Sequence, residues 1–222
     1  MKKFNWIIQI FVIFESFAFY KFEVIDCSML SPPNNTNLCF CIVQNKEIFN
    51  KGQITIDGYR KLNQNVNCSS SREGFAVTYA SNFEFFPKNI EKHFKNIVAI
   101  YIISSGLKEI HQNDLKVFPY LETLIFNETE IEYLEADLFE FNLLLESFAI
   151  LKSPLKHIGP KIFDNLKNLK FLVIDKCQNM SLISDKKMTV KEIVEKIQKG
   201  FCIVQEFIEK TTTVMTLGDG EI

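Results

Sequence analysis

The chain has 222 residues, of which 47% are hydrophobic and 23% are charged. Its 25 Lys and Arg residues are outnumbered by 27 Asp and Glu residues, which gives a formal net charge of −2 at pH 7. This balance excludes the basic surplus with which proteins attract nucleic acid or an anionic lipid surface, and the length suits one elongated domain.

The segment 1–18 has the features of a secretory signal peptide. Lys2 and Lys3 precede the apolar run WIIQIFVIF, and Ser16-Phe17-Ala18 has the small-x-small form of a cleavage site. The apolar run is shorter than the roughly 18 residues that a membrane-spanning helix needs, and no later segment is long enough either. We therefore expect 1–18 to be removed and the mature protein to be secreted, extracellular and without a membrane anchor.

Residues 19–72 are rich in cysteine. An even number of cysteines in a secreted chain is typical of a disulfide framework. Four cysteines allow three pairings, and their spacing alone does not decide between these. A zinc site is less favoured, because the pair in CFC lacks the spacer of two to four residues that is usual for zinc ligands. The cysteines of this segment are Cys27, Cys39, Cys41 and Cys68.

The segment 73–180 contains a repeat of 24 residues. Apolar residues in 121–144 follow neither the helical nor the strand period. The same six offsets are apolar in 97–120 and 145–168, a weaker copy covers 73–96, and a partial copy covers 169–180. A fixed period of this length predicts stacked units that share one continuous core. The core positions of the three full copies are Ile97, Ile100, Ile102, Leu107, Ile110, Leu115; Leu121, Leu124, Phe126, Ile131, Leu134, Phe139; and Leu145, Phe148, Ile150, Leu155, Ile158, Phe163.

This pattern resembles the extracellular leucine-rich repeat, L-x-x-L-x-L-x-x-N-x-L. The resemblance implies an α/β solenoid with a parallel sheet on its concave side, an irregular convex side and a cap at each end. In the family, the Asn side chain bonds buried backbone groups of the turn after each strand. Hydroxyl and thiol groups can replace it more weakly, so we expect a looser ladder of turns. The replacements are Ser81, Ser105, Thr129, Ser153 and Cys177.

The segments that flank the repeats resemble the caps of the same family. CSMLSPPNNTNLCFC followed by Cys68 resembles an N-terminal cap and implies the pairs Cys27–Cys41 and Cys39–Cys68. The segment 181–210 resembles a helical C-terminal cap and implies a Cys177–Cys202 disulfide. We expect its helix to start at a capping box of Thr189 and Glu192, and 211–222 to be a disordered tail. The apolar face of that helix is Val190, Ile193, Val194, Ile197 and Phe201.

No catalytic, cofactor or metal motif is evident in the sequence. The histidines His93, His111 and His157 fall at different repeat offsets, so we interpret them as solvated or packing residues. A run of acidic residues in one repeat is interpreted as a solvated face rather than a calcium site. We therefore expect a protein that is not an enzyme and uses no cofactor or metal. The acidic residues are Glu128, Glu130, Glu132, Glu135 and Asp137.

The concave face is the predicted functional site. Strand side chains alternate, so the residues between the core positions face the concave side. They are Phe75, Val77, Tyr79; Ala99, Tyr101, Ile103; Thr123, Ile125, Asn127; Ser147, Ala149, Leu151; and Phe171, Val173, Asp175. Contiguous apolar patches of this kind mark binding sites, with aromatic anchors as hot spots. The predicted binding residues are Tyr79, Tyr101, Ile103, Ile125, Leu151, Phe171 and Val173.

We expect an extracellular protein as the partner, in the immune or signalling role that the family resemblance implies. Three alternatives remain: a structural, matrix-type protein whose concave face binds a second copy in a homodimer, a patch with no binding role, and a hydrolase. Glycosylation is predicted at Asn34, Asn127 and Asn179; the sequon at Asn67 contains Cys68, which is expected to be oxidised. A glycan on Asn127 would cover part of the concave face.

Overall fold

The computed structural model describes residues 21–30, 38–43, 54–61, 72–174, 181–184, 191–192, 194–195 and 201–204. These residues form a parallel-sheet solenoid of about four turns with few helices. The expected α/β class is therefore corrected to mostly β, because the convex segments form single helical turns, bends and short bridges instead of full helices. The predicted signal peptide, the tail, Asn34 and Asn179 lie outside the described residues.

The main sheet has eight strands. They are β1 (Lys21–Leu30), β2 (Leu38–Val43), β3 (Ile54–Lys61), β4 (Arg72–Thr78), β5 (Ile97–Ile103), β6 (Thr123–Asn127), β8 (Ser147–Leu151) and β10 (Phe171–Ile174). Two smaller sheets join β7 (Tyr133–Leu134) to β9 (His157–Ile158) and β11 (Ser181–Ser184) to β12 (Phe201–Val204). Within 72–174, the helices are the single turns α1 (Ile90–His93) and α2 (Gln112–Leu115).

The order of the main sheet is β10-β8-β6-β5-β4-β2-β1-β3. Every adjacent pair is parallel except β1 and β2, which are antiparallel. From β5 onwards, each strand residue pairs with its equivalent in the next repeat, as in Ile100 with Leu124 and Leu124 with Phe148. This in-register stacking confirms the predicted core positions of 97–120, 121–144 and 145–168: all are buried except Ile158, which is partly buried against the core.

The first repeat departs from this register. Phe75 pairs with Ile100 and Val77 with Ile102, so the spacing across this pair of strands is one residue longer than the repeat period. Because side chains alternate with a period of two, a shift of one residue moves each side chain to the opposite face. Phe75 and Val77, which were predicted to line the concave face, are therefore fully buried in the core, and Ala76 faces outward.

Two local irregularities accommodate the extra residue between Phe75 and Ile100. Val77 and Phe83 are separated by one residue more than Ile102 and Leu107, so the turn after β4 is longer than the later turns. A bulge at Val98 shifts the pairing of β5 with β4. The sequence frame of 73–96 is therefore correct after the turn and wrong within the strand.

A residue with a positive φ angle lies at the corner after each of the strands β4, β5, β6 and β8. These residues are Tyr79, Ser104, Glu128 and Lys152. The amide of Tyr79 donates to the carbonyl of Ile103 at 3.1 Å, and the amide of Glu128 donates to the carbonyl of Leu151 at 2.9 Å. Each of these two corners is thus bonded to the last residue of the next strand. Tyr79 is a corner residue and not, as predicted, a member of the concave columns.

Buried hydroxyl groups follow these corners. Thr129 Oγ1 and Ser153 Oγ lie 2.8 Å apart, Ser153 Oγ donates to the carbonyl of Leu151 at 3.1 Å, and the amide of Thr129 donates to Ser153 Oγ at 3.3 Å. Ser105 Oγ is buried and has no hydrogen-bond partner among the described residues. In the first repeat the equivalent position is the buried Ala80, so the predicted ladder residue Ser81 is exposed instead.

Phenylalanine rings fill the convex side of the core. Phe139 and Phe163 stack with their ring centroids 6.0 Å apart, as the repeat frame predicts for this column. Phe148 packs against both rings, at 5.1 Å from Phe139 and 5.9 Å from Phe163. The last two full repeats therefore share one aromatic cluster that joins the sheet to the convex turns.

A disulfide joins Cys27 in β1 to Cys41 in β2, with the Cα atoms 4.9 Å apart. This confirms the first predicted pair. Cys39 is also disulfide-bonded, and its predicted partner, Cys68, lies outside the described residues. Cys27, Cys39 and Cys41 are all buried, so β2 contributes its cysteine side to the core at the N-terminal end of the solenoid.

The predicted helical cap over 181–210 is not confirmed by the residues of this segment that the structure describes. Residues 191–192 and 194–195 are helical, and Val194 packs against the core. Phe201, predicted to belong to the helix, instead begins β12, which pairs in parallel with β11. Thr189, Cys177 and the remaining residues of the predicted helix face lie outside the described residues.

The buried hydroxyls make a stability prediction. We expect Thr129→Val to lower the free energy of unfolding by about 1 kcal/mol, because it keeps the volume but removes the hydrogen bond to Ser153. Ser105→Ala is the matched control: its hydroxyl is buried without a partner among the described residues, so its removal should be neutral or slightly stabilising. Urea denaturation of both variants gives the two values, and equal losses would contradict a hydrogen-bond role for Thr129.

Candidate functional site

Two columns of side chains run across the concave face. One contains Tyr101, Ile125, Ala149 and Val173, and the other contains Ile103, Asn127 and Leu151. Phe171 follows Ala99, Thr123 and Ser147 in a third column nearer the strand starts, and its side chain is 61% exposed. All of the predicted binding residues except Tyr79 thus lie on one face of the sheet.

The N-terminal strand β2 pairs with β4 in the same sheet, and its Phe40 side chain covers part of this face. A Cβ atom on Gly74 would lie 2.4 Å from the ring of Phe40, so the ring rests directly on the glycine backbone. The ring centroid of Phe40 lies 4.9 Å from that of Tyr101. Together with Leu38 and Val98, Phe40 belongs to an apolar cluster on the concave side that is separate from the main core.

The sequence of β2 itself indicates that both of its faces are buried. The 24-residue repeat pattern does not extend to this segment. In LCFCIV, Cys39, Cys41 and Val43 alternate with Leu38, Phe40 and Ile42, so both faces of the segment are apolar. Such a pattern indicates a strand buried on both sides. The cysteines were the basis of the disulfide prediction, whereas Leu38, Phe40 and Ile42 were not predicted to lie in the sheet.

Two of the predicted binding residues, Tyr101 and Ile125, are less accessible than expected. Burial raises the pKa of the Tyr101 hydroxyl, in accord with its packing beneath Phe40. Ile125 is only 9% exposed. The accessible part of the concave face therefore lies toward the C-terminal strands, at Leu151, Phe171 and Val173, which are half-buried or exposed.

Ion pairs border the concave face along both edges. At the strand starts, Arg72 binds Glu122, and Lys170 binds Glu146 at 2.8 Å. At the corners, Lys152 binds Glu128 at 2.6 Å. Since each of these carboxylates faces a cation, the edges carry little net charge, and long-range steering by a single sign of charge is not expected.

Asn127 lies in the column between Ile103 and Leu151. Its side-chain Oδ1 atom is buried and has no hydrogen-bond partner among the described residues. The threonine of its sequon, Thr129, is buried and bonded to Ser153. Occupancy of Asn127 by a glycan stays a prediction.

The histidines lie in three different parts of the solenoid. His93 in α1 lies 3.3 Å from the carbonyl of Ile56, and His157 is in β9. His111 begins α2, where its Nδ1 atom lies 3.1 Å from Glu135 and its Nε2 atom 3.6 Å from Glu109. Within the described residues, no group of three or more His, Cys, Asp or Glu side chains is placed to hold a metal ion.

The convex side has a small depression between the turns at 87–91 and 113–118. Its volume is about 90 Å³, and Lys88 and Asp114, which form an ion pair, both line it. Cavities that hold small organic ligands are usually of the order of 300–1,000 Å³, so this one is too small for such a ligand.

In the described part of the chain, no helix has the length and apolar character to cross a membrane.

No protein-family model matches the chain, and no curated protein matches it. The candidate site therefore depends on its geometry: a parallel concave sheet with an apolar column of Tyr101, Ile125, Ala149 and Val173, covered at one end by Phe40 of β2 and accessible toward β10.

His111 makes a pH prediction. Burial alone would lower its pKa, but the hydrogen bond with Glu135 and the charges of Glu135, Glu109 and Asp114 raise the pKa above 6.5. The stabilisation is therefore fully present below the unfolded-state pKa and is lost as the pH rises through the folded-state pKa. We expect His111→Gln to cost a few tenths of a kcal/mol more at about pH 5.5 than at about pH 8.5, because exposed pairs are screened.

Denaturation at the two pH values gives this difference, and an NMR titration of the imidazole provides a direct control. Glu135→Gln should lower the pKa of His111, while Glu132→Gln, in the same turn and paired with Lys156, should leave it unchanged. An unchanged pKa in Glu135→Gln would contradict the assigned cause.

Proposed function

We propose that this protein is a secreted recognition module of the leucine-rich repeat type, which binds another extracellular protein through its concave face. The observation that carries the proposal is the group of apolar side chains at Leu151, Val173 and Phe171. These residues are half-buried or exposed on a parallel sheet whose other face is a continuous core. Apolar and aromatic residues gathered in this way are the usual composition of a protein-binding surface.

The leucine-rich repeat assignment is supported by the regular repeat register, the buried residues at the repeat offsets and the hydroxyl groups at the position of the family's Asn. Secretion is supported by the signal-like features of 1–18 and by the Cys27–Cys41 disulfide, since such bonds persist in oxidising compartments. We further propose that the protein acts by binding and not by catalysis, in immune or extracellular signalling.

The borders of the face suggest what the partner offers. Because Arg72, Lys152 and Lys170 are each paired with a carboxylate, a partner gains little from a charged patch of either sign. Affinity should come from apolar contacts at the C-terminal end of the face. Binding is therefore expected to depend weakly on ionic strength.

The experiment is a capture from extracellular fluid with the mature protein, followed by measured affinity for the captured partner. We expect Leu151→Ser/Phe171→Ser to weaken binding at least tenfold, because each substitution removes an apolar contact at the accessible end of the face. Tyr101 and Ile125 are poorer targets, since a polar group at either position would be buried against Phe40 or Ala149 and could disturb the fold.

Tyr133→Ser is the matched control. Tyr133 is 57% exposed and lies in β7, outside the concave sheet, so its loss should leave binding unchanged. Equal binding by the concave variant and the wild type would reject the concave face as the site. If the concave variant instead abolishes a dimer of the protein itself, the structural, self-associating alternative replaces recognition.

Glycosylation of Asn127 tests where on the face the partner binds. Mass spectrometry of the secreted protein measures its occupancy. A fully occupied Asn127 would place a glycan between Ile103 and Leu151, and the binding residues would then shift toward Phe171 and Val173. Asn127→Gln should in that case preserve or increase the affinity.

A further inference from the structure

The acidic segment around Tyr133 lies outside the proposed concave site. Residues 117–151 contain no Lys, Arg or His, and five carboxylates lie within five residues of Tyr133. Tyr133 itself is in β7, which is not part of the concave sheet. The carboxylates are those of Glu128, Glu130, Glu132, Glu135 and Asp137.

The phenol of Tyr133 is accessible. Tyr133 is 57% exposed, whereas Ile131 and Leu134 on either side of it are buried in the core. The strand β7 has only two residues, and Tyr133 pairs there with His157 of β9. The buried residues therefore fix a short surface turn to the solenoid, and the phenol lies on its outer side, where a modifying enzyme can reach it.

Two other exposed tyrosines provide a comparison. Tyr120 is 55% exposed and Tyr79 is 50% exposed. Within five residues in the sequence, Tyr120 has one acidic and one basic residue, and Tyr79 has one acidic residue. Exposure alone therefore does not distinguish Tyr133 from the other two, but its acidic surroundings do.

Lysines of the next turn balance part of this charge. Lys152 binds Glu128 at 2.6 Å, and Lys156 binds Glu132 at 2.7 Å. The hydrogen bond with Glu132 raises the pKa of Lys156, and the phenol of Tyr133 contributes to the rise, so Lys156 lies near both groups. Two of the five carboxylates are thus paired with lysines, and three are not.

The three remaining carboxylates belong to exposed residues, Glu130, Glu135 and Asp137. Glu135 faces His111, with its carboxylate oxygen 3.1 Å from the imidazole Nδ1 atom. Among the described residues, Glu130 and Asp137 have no cationic partner, and Asp137 accepts a hydrogen bond from the neutral amide of Gln112 at 3.3 Å. The surface around Tyr133 therefore keeps a negative surplus.

An accessible phenol among carboxylates suits the transfer of a sulfuryl group. The donor in such a reaction, a phosphosulfate, is a polyanion, so the enzyme that binds it must present a basic site. The electric field of a basic site attracts an acidic acceptor segment and repels a basic one. Of the three exposed tyrosines, Tyr133 is the one that meets this requirement.

We propose that Tyr133 is an acceptor for enzymatic O-sulfation as the chain passes through the secretory pathway. The phenolic oxygen attacks the sulfur atom of the phosphosulfate donor and forms an aryl sulfate ester. The bond between sulfur and the bridging oxygen breaks, the donor's phosphate leaves with that electron pair, and the phenolic proton passes to a base of the transferase. This inference rests on the proposed secretion, because enzymes that sulfate tyrosine act in that pathway.

The ester adds a permanent negative charge to the surface around β7. Lys156 is close enough to Tyr133 to pair with the sulfate in a charge-assisted contact. Because β7 is outside the concave sheet, the apolar columns are not changed. The modification therefore makes the protein more acidic on a surface that is separate from the proposed recognition face.

Expression of the full chain in cultured animal cells with radioactive sulfate tests the proposal. The secreted wild type should carry label that survives removal of N-linked glycans, and mass spectrometry of its fragments should place one sulfuryl group on Tyr133. Tyr133→Phe should lose this label. Tyr120→Phe, which removes a similarly exposed phenol, should keep it.

Removal of the unpaired charges gives a second test. Glu130→Gln/Asp137→Asn should lower the label by about threefold or more, because it weakens the attraction between this segment and a basic enzyme site. Asp164→Asn/Glu195→Gln is the matched control, since it removes the same charge from exposed positions elsewhere and should leave the label unchanged. Equal losses in the two double variants would contradict the role of the local carboxylates.

A second arm, with an unrelated signal peptide in place of 1–18, separates this inference from the proposed function. Secretion in the second arm alone contradicts the proposed secretion, and the label in that arm still decides whether Tyr133 is an acceptor. A secreted wild type without label, label that remains in Tyr133→Phe, or a phosphate group on Tyr133 overturns the inference. Circular dichroism and thermal unfolding verify that the variants keep the fold.

Discussion

The in-register stacking of parallel strands is the constraint on which the rest of this solenoid depends. A strand has two faces, and the pairing register alone decides which residues meet the core. From β5 to β10 the register is held at one repeat period per strand, so the core and the concave columns form together. At β4 the spacing to Ile100 is one residue longer, and Phe75 changes from a surface residue to a core residue. The composition of the concave face is thus a consequence of turn length.

A few corner residues and their hydrogen bonds keep the strands in this register. Ser104, Glu128 and Lys152 each have a positive φ angle at the end of a strand. The amides of Ser104 and Glu128 donate to the carbonyl of the last residue in the next strand. Behind these corners, Thr129 and Ser153 share a short buried hydrogen bond where a leucine-rich repeat would have an Asn ladder. A hydroxyl reaches fewer backbone groups than an amide does. This explains why the ladder is incomplete at Ser105, whose upstream neighbour is Ala80. The aromatic cluster on the convex side is a second contact between the last repeats.

Much of the fold could be predicted from the sequence, because a repeat converts one recognised unit into many placed residues. The core of 97–168 follows in this way, whereas the Cys27–Cys41 pair was implied by the resemblance of its segment to an N-terminal cap. The register of β4 could not be predicted, because the extra residue becomes evident only when the pairing of Phe75 with Ile100 is known. The cover on the concave face was missed for a different reason. Phe40, Gly74 and Tyr101 come from three separate strands, and no local pattern shows that a ring of the first rests on the backbone of the second. The prediction that Phe201 belongs to a helix is wrong, because the short apolar run from Phe201 to Val204 suits a strand as well as a helix, and it forms β12.

The two ends of the concave face consequently have different roles. At the N-terminal end, Phe40 and Leu38 pack against Ala76 and Val98, so the apolar columns there are satisfied within the chain. Toward β10 no equivalent side chain is placed over Val173 or Phe171 by the residues that the structure describes, and Phe171 remains largely exposed. A solenoid must cover the end of its core, and β1 to β3 do this at the cost of concave surface. Under the proposed recognition role, a partner approaches the face from its C-terminal side, where the described residues place no side chain over Val173 and Phe171.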